Sequence, residues 1–309
     1  MSIEIITTVA GSAVFFLLFT VSLGFWGRLL LRALGIKEEN GYGSPLPLVA
    51  TIATLALVLR YVFYLTHNFD LLFSLIFILG LLGFVVELLL YLLKGLKPDI
   101  EKHSLVSSFT EKHSLILTGL AVCVVCSAYM CLIWPSRTME PWLSNHMDFY
   151  YWIFSSDYWR GLADATIGSK YGYQNWPFDS FGAFILFSFF ASAKGGQTFM
   201  AAPYFLVTLL SWIGICAYSI IRSVFRLPRI VALLLALGLV GGNFFNYIIL
   251  KGYFGHIVGL VGFLTCLTVV FSATSTKGIK ESAFVLFFPI LYLFVCYQAV
   301  FVVFVSMVF

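Results

Sequence analysis

Charged side chains are scarce: Asp, Glu, Lys and Arg make up 10% of the chain, against roughly 25% in a soluble domain. That leaves too little polar surface to coat a water-soluble globule of 309 residues, and it excludes the soluble, fibrous, collagenous and disordered classes. Dense basic tracts are lacking too. The 18 Lys and Arg outnumber the 14 Asp and Glu, but they sit between apolar runs, where they set membrane topology, so no nucleic-acid partner is expected. Redox motifs lack their usual context. Cys123 and Cys126 form a CxxC inside an apolar run, without βαβ surroundings, and the six cysteines read as packing thiols. The opening MSIEIITT has neither a basic n-region nor a small-residue cleavage site, so no cleaved signal peptide is expected. No internal repeat is visible, and no loop is large enough to form a soluble domain.

Apolar and aromatic residues fill the gap. The chain is 61% hydrophobic and 18% aromatic, with a mean hydropathy of +0.99. A helix of about 20 apolar residues crosses a bilayer. Segments 5–27, 46–66, 71–93, 115–134, 199–221, 230–250, 254–273 and 283–309 qualify, and 181–193 is apolar but shorter. The expected fold is all-α, a polytopic transmembrane bundle of eight to nine membrane segments. A three-span region (1–114) precedes a core (115–309) with an outer loop at 135–177. The last apolar run reaches Phe309 without a polar flank, the ending expected of a shortened member of a longer family.

Basic residues orient the spans. Arg28, Arg32 and Lys37 lie in the first connection, and Lys94, Lys97, Lys102 and Lys112 in the third, whereas 67–70 holds none. The positive-inside rule turns the two basic connections to the cytoplasm and the N-terminus, 67–70 and 135–177 outwards. Arg222, Arg226 and Arg229 then belong inside, which requires an odd number of crossings between Pro177 and Arg222. Charge favours a segment at 178–193 that dips and returns; a full crossing would move those bases outside. Glu87 falls too deep along its helix to meet Arg60 and is expected near the inner headgroups, beside Lys94.

The outer loop concentrates ionisable and aromatic residues. His146 and Asp148 follow the fourth span closely, and a carboxylate at a helix mouth beside a histidine is costly without a purpose. Asp157, Arg160 and Asp164 share one helical face, interleaved with Phe149, Trp152, Ile153, Tyr158 and Trp159, as in an amphipathic helix lying in the interface. The plain reading of that helix is solvation plus an Arg160–Asp164 pair. Gly168, Gly172 and YGYQNWP, with Tyr173 and Trp176, mark a turn back into the membrane. A second outward segment, 241–256, brings Asn243, Asn246, Lys251 and His256 around a short turn. It contributes either donors and a positive charge to a pocket or a tight hairpin with a snorkelling lysine. His146, Asp148 and His256 are residue types that suit a divalent metal, although no cofactor is firmly implied.

A span that exits to the outside, Asp148 in NHMDFYYW just beyond it, a short amphipathic helix and the re-entry YGYQNWPFDSFGAFI together resemble the GT-C superfamily. These are integral-membrane glycosyltransferases that use polyprenyl-phosphate-linked sugars. The resemblance covers about residues 115–224. Where many relatives carry a second acid in the first outer loop, this chain has His146 two residues before Asp148. The resemblance implies an inverting transferase in a bacterial-type plasma membrane. Its partners would be a lipid-linked sugar donor and membrane lipids, and its acceptor a glycan, lipid or protein hydroxyl. Asp148 would take the acceptor proton. Its companions around sugar and phosphate would be His146, Asp157, Arg160, Lys170, Tyr173, Trp176, Asn246, Lys251 and His256, with Arg160, Lys170, Lys251 or Arg60 supplying the cation over the phosphate. Three other functions stand beside this one: a transporter or lipid flippase, a catalytically inactive assembly protein, and a membrane acyltransferase built on His146.

Overall fold

The computed structural model describes residues 3–36, 44–62, 68–95, 102–133, 147–162, 181–242, 254–276 and 279–296. Among these, ten segments are α-helices and none is a strand. They are α1 (Ile3–Ala33), α2 (Pro45–Val62), α3 (Asp70–Gly95), α4 (Lys102–Ile133), α5 (Met147–Arg160), α6 (Phe181–Lys194), α7 (Thr198–Phe225), α8 (Arg229–Val240), α9 (Phe254–Thr276) and α10 (Ile279–Cys296). The all-α expectation is met. Among the described residues four helices, α1, α3, α4 and α7, are long and apolar enough to cross a membrane, fewer than the eight to nine segments expected, with five shorter apolar helices beside them.

Burial sorts these helices into central and peripheral. Helix α7 is 78% buried over its most apolar window, whereas α3 is 17% buried and exposes Leu71, Leu75, Leu79, Leu82 and Val86 along one side. A soluble protein rarely tolerates an apolar face of that extent. Acyl chains solvate it without cost, so the arrangement is consistent with a membrane protein.

The core is aromatic. Phe19 sits 4.9 Å from Phe190, 5.3 Å from Phe189 and 6.1 Å from Trp212, ring centre to ring centre. Contacts between apolar side chains gain little over contacts with lipid, so interhelical hydrogen bonds and close backbone approach help to fix the register. The Trp212 indole donates to Thr20 Oγ1 at 3.0 Å, Ser22 Oγ to the Phe77 carbonyl at 3.0 Å, and Thr51 Oγ1 to the Leu23 carbonyl at 2.8 Å. At Gly27 a Cβ would run into the Pro47 backbone, so only glycine lets α1 and α2 come this close.

Two ends of the bundle differ in charge. At one end Glu87 Oε1 accepts from Arg32 at 2.7 Å and from Arg28 at 3.3 Å. Helix α1 runs parallel to α3 and brings these two arginines alongside Glu87; the side chain of Lys94, the expected partner, is outside the described residues. Nearby, Leu31 packs with Val269 and Val285. Cys216 lies 3.7 Å from Thr265, one turn before Val269, so α7 continues from there to the same end with Arg222 and Arg226. The N-terminus of α7 lies at the other end, where Asp70, Arg160 and the Gly195–Gly196 turn meet. Helix α6 also ends there, so α7 makes the single traverse between that turn and Arg222.

Helix α5 forms as expected, but it does not lie along an interface. Trp152, Ile153, Ser155, Ser156, Trp159 and Arg160 are all buried. Trp152 stands edge-on to Phe184 at 4.6 Å, and Ser188 Oγ donates to the Ser156 carbonyl at 3.3 Å. Two small serines on α5 let it stand parallel to α6, inside the bundle.

Candidate functional site

Helix α5 ends at Arg160 because the chain turns left-handed at Gly161, with φ +78°. The Gly161 and Leu162 amides bond back to the Tyr158 and Asp157 carbonyls at 2.9 and 2.8 Å, closing the helix. A Cβ at Gly161 would also press on the Asn68 side chain, so glycine serves both the dihedral and the fit. Next to it the Phe69 amide donates to the Trp159 carbonyl at 3.1 Å, and the two rings stack at 6.0 Å. The end of α5 is thereby sewn to the start of α3.

Arg160 closes the joint. Its Nε donates to Asp70 Oδ1 at 2.7 Å, Nη1 to Thr198 Oγ1 at 2.7 Å and Nη2 to the Gly196 carbonyl at 3.0 Å. The Thr198 hydroxyl in turn donates to Asp157 Oδ1, and Ser192 Oγ donates to Asp70 Oδ1 at 2.6 Å. Gly195 and Gly196, with φ of +78° and +84°, make the tight turn that presents that carbonyl. Arg160 is 4% exposed and Asp70 is 39% exposed. A guanidinium stays charged at any physiological pH, and its planar fork suits several acceptors at once. Here it faces one carboxylate directly and a second through a hydroxyl. Burial pushes the Asp157 carboxyl above its usual range, against the downward pull of the Thr198 hydroxyl and the Arg160 charge.

This cluster is a clasp across five segments: α3, α5, the end of α6, the α6–α7 turn and the start of α7. Its cation is shielded and already engaged, so it orients helices and does not present itself to a ligand. Asp157 and Arg160, expected on one helical face, meet through the Thr198 hydroxyl. Asp164 was expected on the same helical face, as the partner of Arg160. Helix α5 stops at Arg160 and Asp164 lies outside the described residues; among those described, the carboxylate that Arg160 meets directly is Asp70. Asp148 lies in the first turn of α5, about 18 Å along the helix from Arg160 at 1.5 Å per residue, and its side chain is outside the described residues. His256 is exposed in the first turn of α9. His146, Lys170, Tyr173, Trp176, Asn246 and Lys251 lie outside the described residues. Among the described residues no three His, Cys, Asp or Glu side chains converge as a metal site, and all six cysteines are free thiols.

Sequence reasoning missed Asp70, Ser192, Gly196 and Thr198. One signal was available: Asp70 opens a long apolar run, and a carboxylate there calls for a partner. Nothing local names that partner as Arg160.

Comparison with known proteins gives no match: no family model fits the chain, and neither a curated protein nor a solved structure is significantly similar to it.

Proposed function

We propose that the chain is an integral-membrane glycosyltransferase that moves a sugar from a polyprenyl-phosphate donor to a hydroxyl acceptor, with Asp148 as the base. In this reading the shorter apolar helices complete a bundle of eight to nine segments. The end bearing Arg28, Arg32 and Arg222 faces the cytoplasm of a bacterial-type cell, and the Arg160 end faces outwards.

The observation that carries the reading is the mounting of α5. A general base is effective only when held within a fraction of an ångström of its working position. Asp148 belongs to a helix whose far end is fixed by Arg160 and whose serine side is pressed against α6. In the reaction the acceptor oxygen attacks the anomeric carbon, the bond from that carbon to the phosphate oxygen breaks, and Asp148 accepts the acceptor proton. Polyprenyl phosphate leaves with the electron pair. Arg160 is spent in its clasp, so the cation over the phosphate is left to Lys170, Lys251 or Arg60.

Transport is the second reading, and one observation favours it. The Ser155 and Ser156 hydroxyls are buried and have no hydrogen-bond partner among the described residues, and Asp148 lies on the same helix, at the level where α6 begins. Polar groups along a helix inside a bundle mark a substrate path in transporters. The two readings separate in purified, reconstituted protein. Sugar release from a polyprenyl-phosphate sugar, abolished by Asp148→Asn, supports transfer. Movement of an intact lipid-linked sugar between leaflets without sugar release supports transport and contradicts the transferase.

A further inference from the structure

Charge is distributed unevenly along the second half of the chain. Between Asp179 and Glu281 there is no carboxylate at all, while Arg222, Arg226 and Arg229 crowd the α7–α8 turn. At the same end of the bundle Arg28 and Arg32 of α1 both reach Glu87.

The turn pairs these cations with apolar surface. Val224 is 41% exposed, Phe225 65% and Ile230 73%. Arg226 is itself exposed. Such a rim presents charge to headgroups and hydrocarbon to the acyl chains beneath them.

Arg226 also occupies a backbone conformation that favours another residue. It follows α7 at φ 51° and ψ 30°, the one non-glycine at positive φ among the described residues. Glycine is the usual occupant of that position after a helix, and a residue with a Cβ costs about 1 kcal/mol there. The strain is held in place by Arg222, whose Nη1 donates to the Leu227 carbonyl across the turn. A strained arginine where glycine would fit points to a role for its side chain.

We infer that the α7–α8 turn is a docking site for anionic phospholipid headgroups, with Arg226 as the principal contact and Arg222 and Arg229 adding to the local field. This stands independently of the catalytic reading. The phosphodiester takes the charge of the guanidinium, and the acyl chains run along Phe225 and Ile230. A free phosphate would leave that apolar rim unused.

The test uses the full chain in detergent, titrated with phosphatidylglycerol and, separately, phosphatidylcholine, with bound lipid counted by native mass spectrometry. Wild type is expected to prefer the anionic lipid. Arg226→Gly relieves the backbone, so its melting temperature should match or exceed wild type, while the preference falls about five-fold, the contribution of one basic residue at an anionic surface. Arg226→Lys should keep most of the preference. The proposal is overturned if Arg226→Gly binds both lipids as wild type does, or if Arg226→Lys loses as much as Arg226→Gly. It is also overturned if millimolar inorganic phosphate displaces the lipid, which assigns the turn to free anions.

Discussion

Arg160 Nε lies 2.7 Å from Asp70 Oδ1, across 90 residues of sequence. That pair joins the end of α5 to the start of α3, and the remaining guanidinium nitrogens reach over to the start of α7. Helices in a bilayer gain little from apolar contact with one another, so a charged joint of this kind sets which helices are neighbours.

Removing the cation should loosen that joint. Arg160→Leu leaves Asp70 and Asp157 without their shared partner, and the loss of one member of a buried pair costs about 3–5 kcal/mol. With Asp70 39% exposed, the low end of that range applies. A drop in melting temperature in detergent of about 4 °C or more, by the usual conversion, is the expected result. Arg160→Lys should lie between, since a point charge cannot reach three acceptors in a plane. An unchanged melting temperature for the leucine variant would remove the clasp from the account.

Acid should favour the same joint through Asp157, which lies outside the candidate spans. Burial raises its carboxyl above the unfolded value of about 3.9. A raised folded pKa means that the folded state holds the proton more tightly. The contribution is therefore fully present below pH about 4 and is lost as pH rises through the folded value. Wild type should lose stability relative to Asp157→Asn between pH 4 and pH 7, measured as the difference in melting temperature at each pH. A difference that stays flat, or one that grows the other way, contradicts the burial argument.

The bundle's two ends can be assigned to the two sides of the membrane. Leu162 is 59% exposed beside Arg160, and Phe225 is 65% exposed beside Arg226. In intact cells an impermeant maleimide should label Leu162→Cys and spare Phe225→Cys, and lysis should expose the second. The native thiols are mostly buried, which keeps the background low. Labelling of both from outside would contradict the traverse by α7, and the reverse pattern would invert the orientation.

Much of the architecture was readable along the chain, because the membrane imposes one dominant rule. Each helix must be apolar over its length, so the starts of α1, α3, α7 and α9 fall within three residues of the expected spans. Arg222 lies at the end of the bundle that holds Arg28. Placement of α5 was not readable. Trp152, Ser156 and Arg160 recur at a helical spacing that fits an interfacial helix and a packed one equally, and only the facing serine of α6 decides between them. The clasp was half visible. Asp157 and Arg160 stand out in one helix, but Asp70 and Thr198 belong to segments far away in sequence. Local spacing carries no information about a contact that the fold creates.

The proposed transfer rests most on Asp148, so that residue is the one to change. Surface-glycan mass and composition should be measured in cells carrying wild type, Asp148→Asn or no gene, with protein levels matched by blot. Asp148→Asn keeps the shape and removes the base, and loss of a general base typically costs 100-fold or more in rate. Deletion is expected to remove a sugar, and Asp148→Asn to remove the same sugar at normal abundance. An unchanged glycan in Asp148→Asn cells, beside a loss on deletion, would contradict the assignment of the base. An unchanged glycan on deletion would contradict the transferase itself.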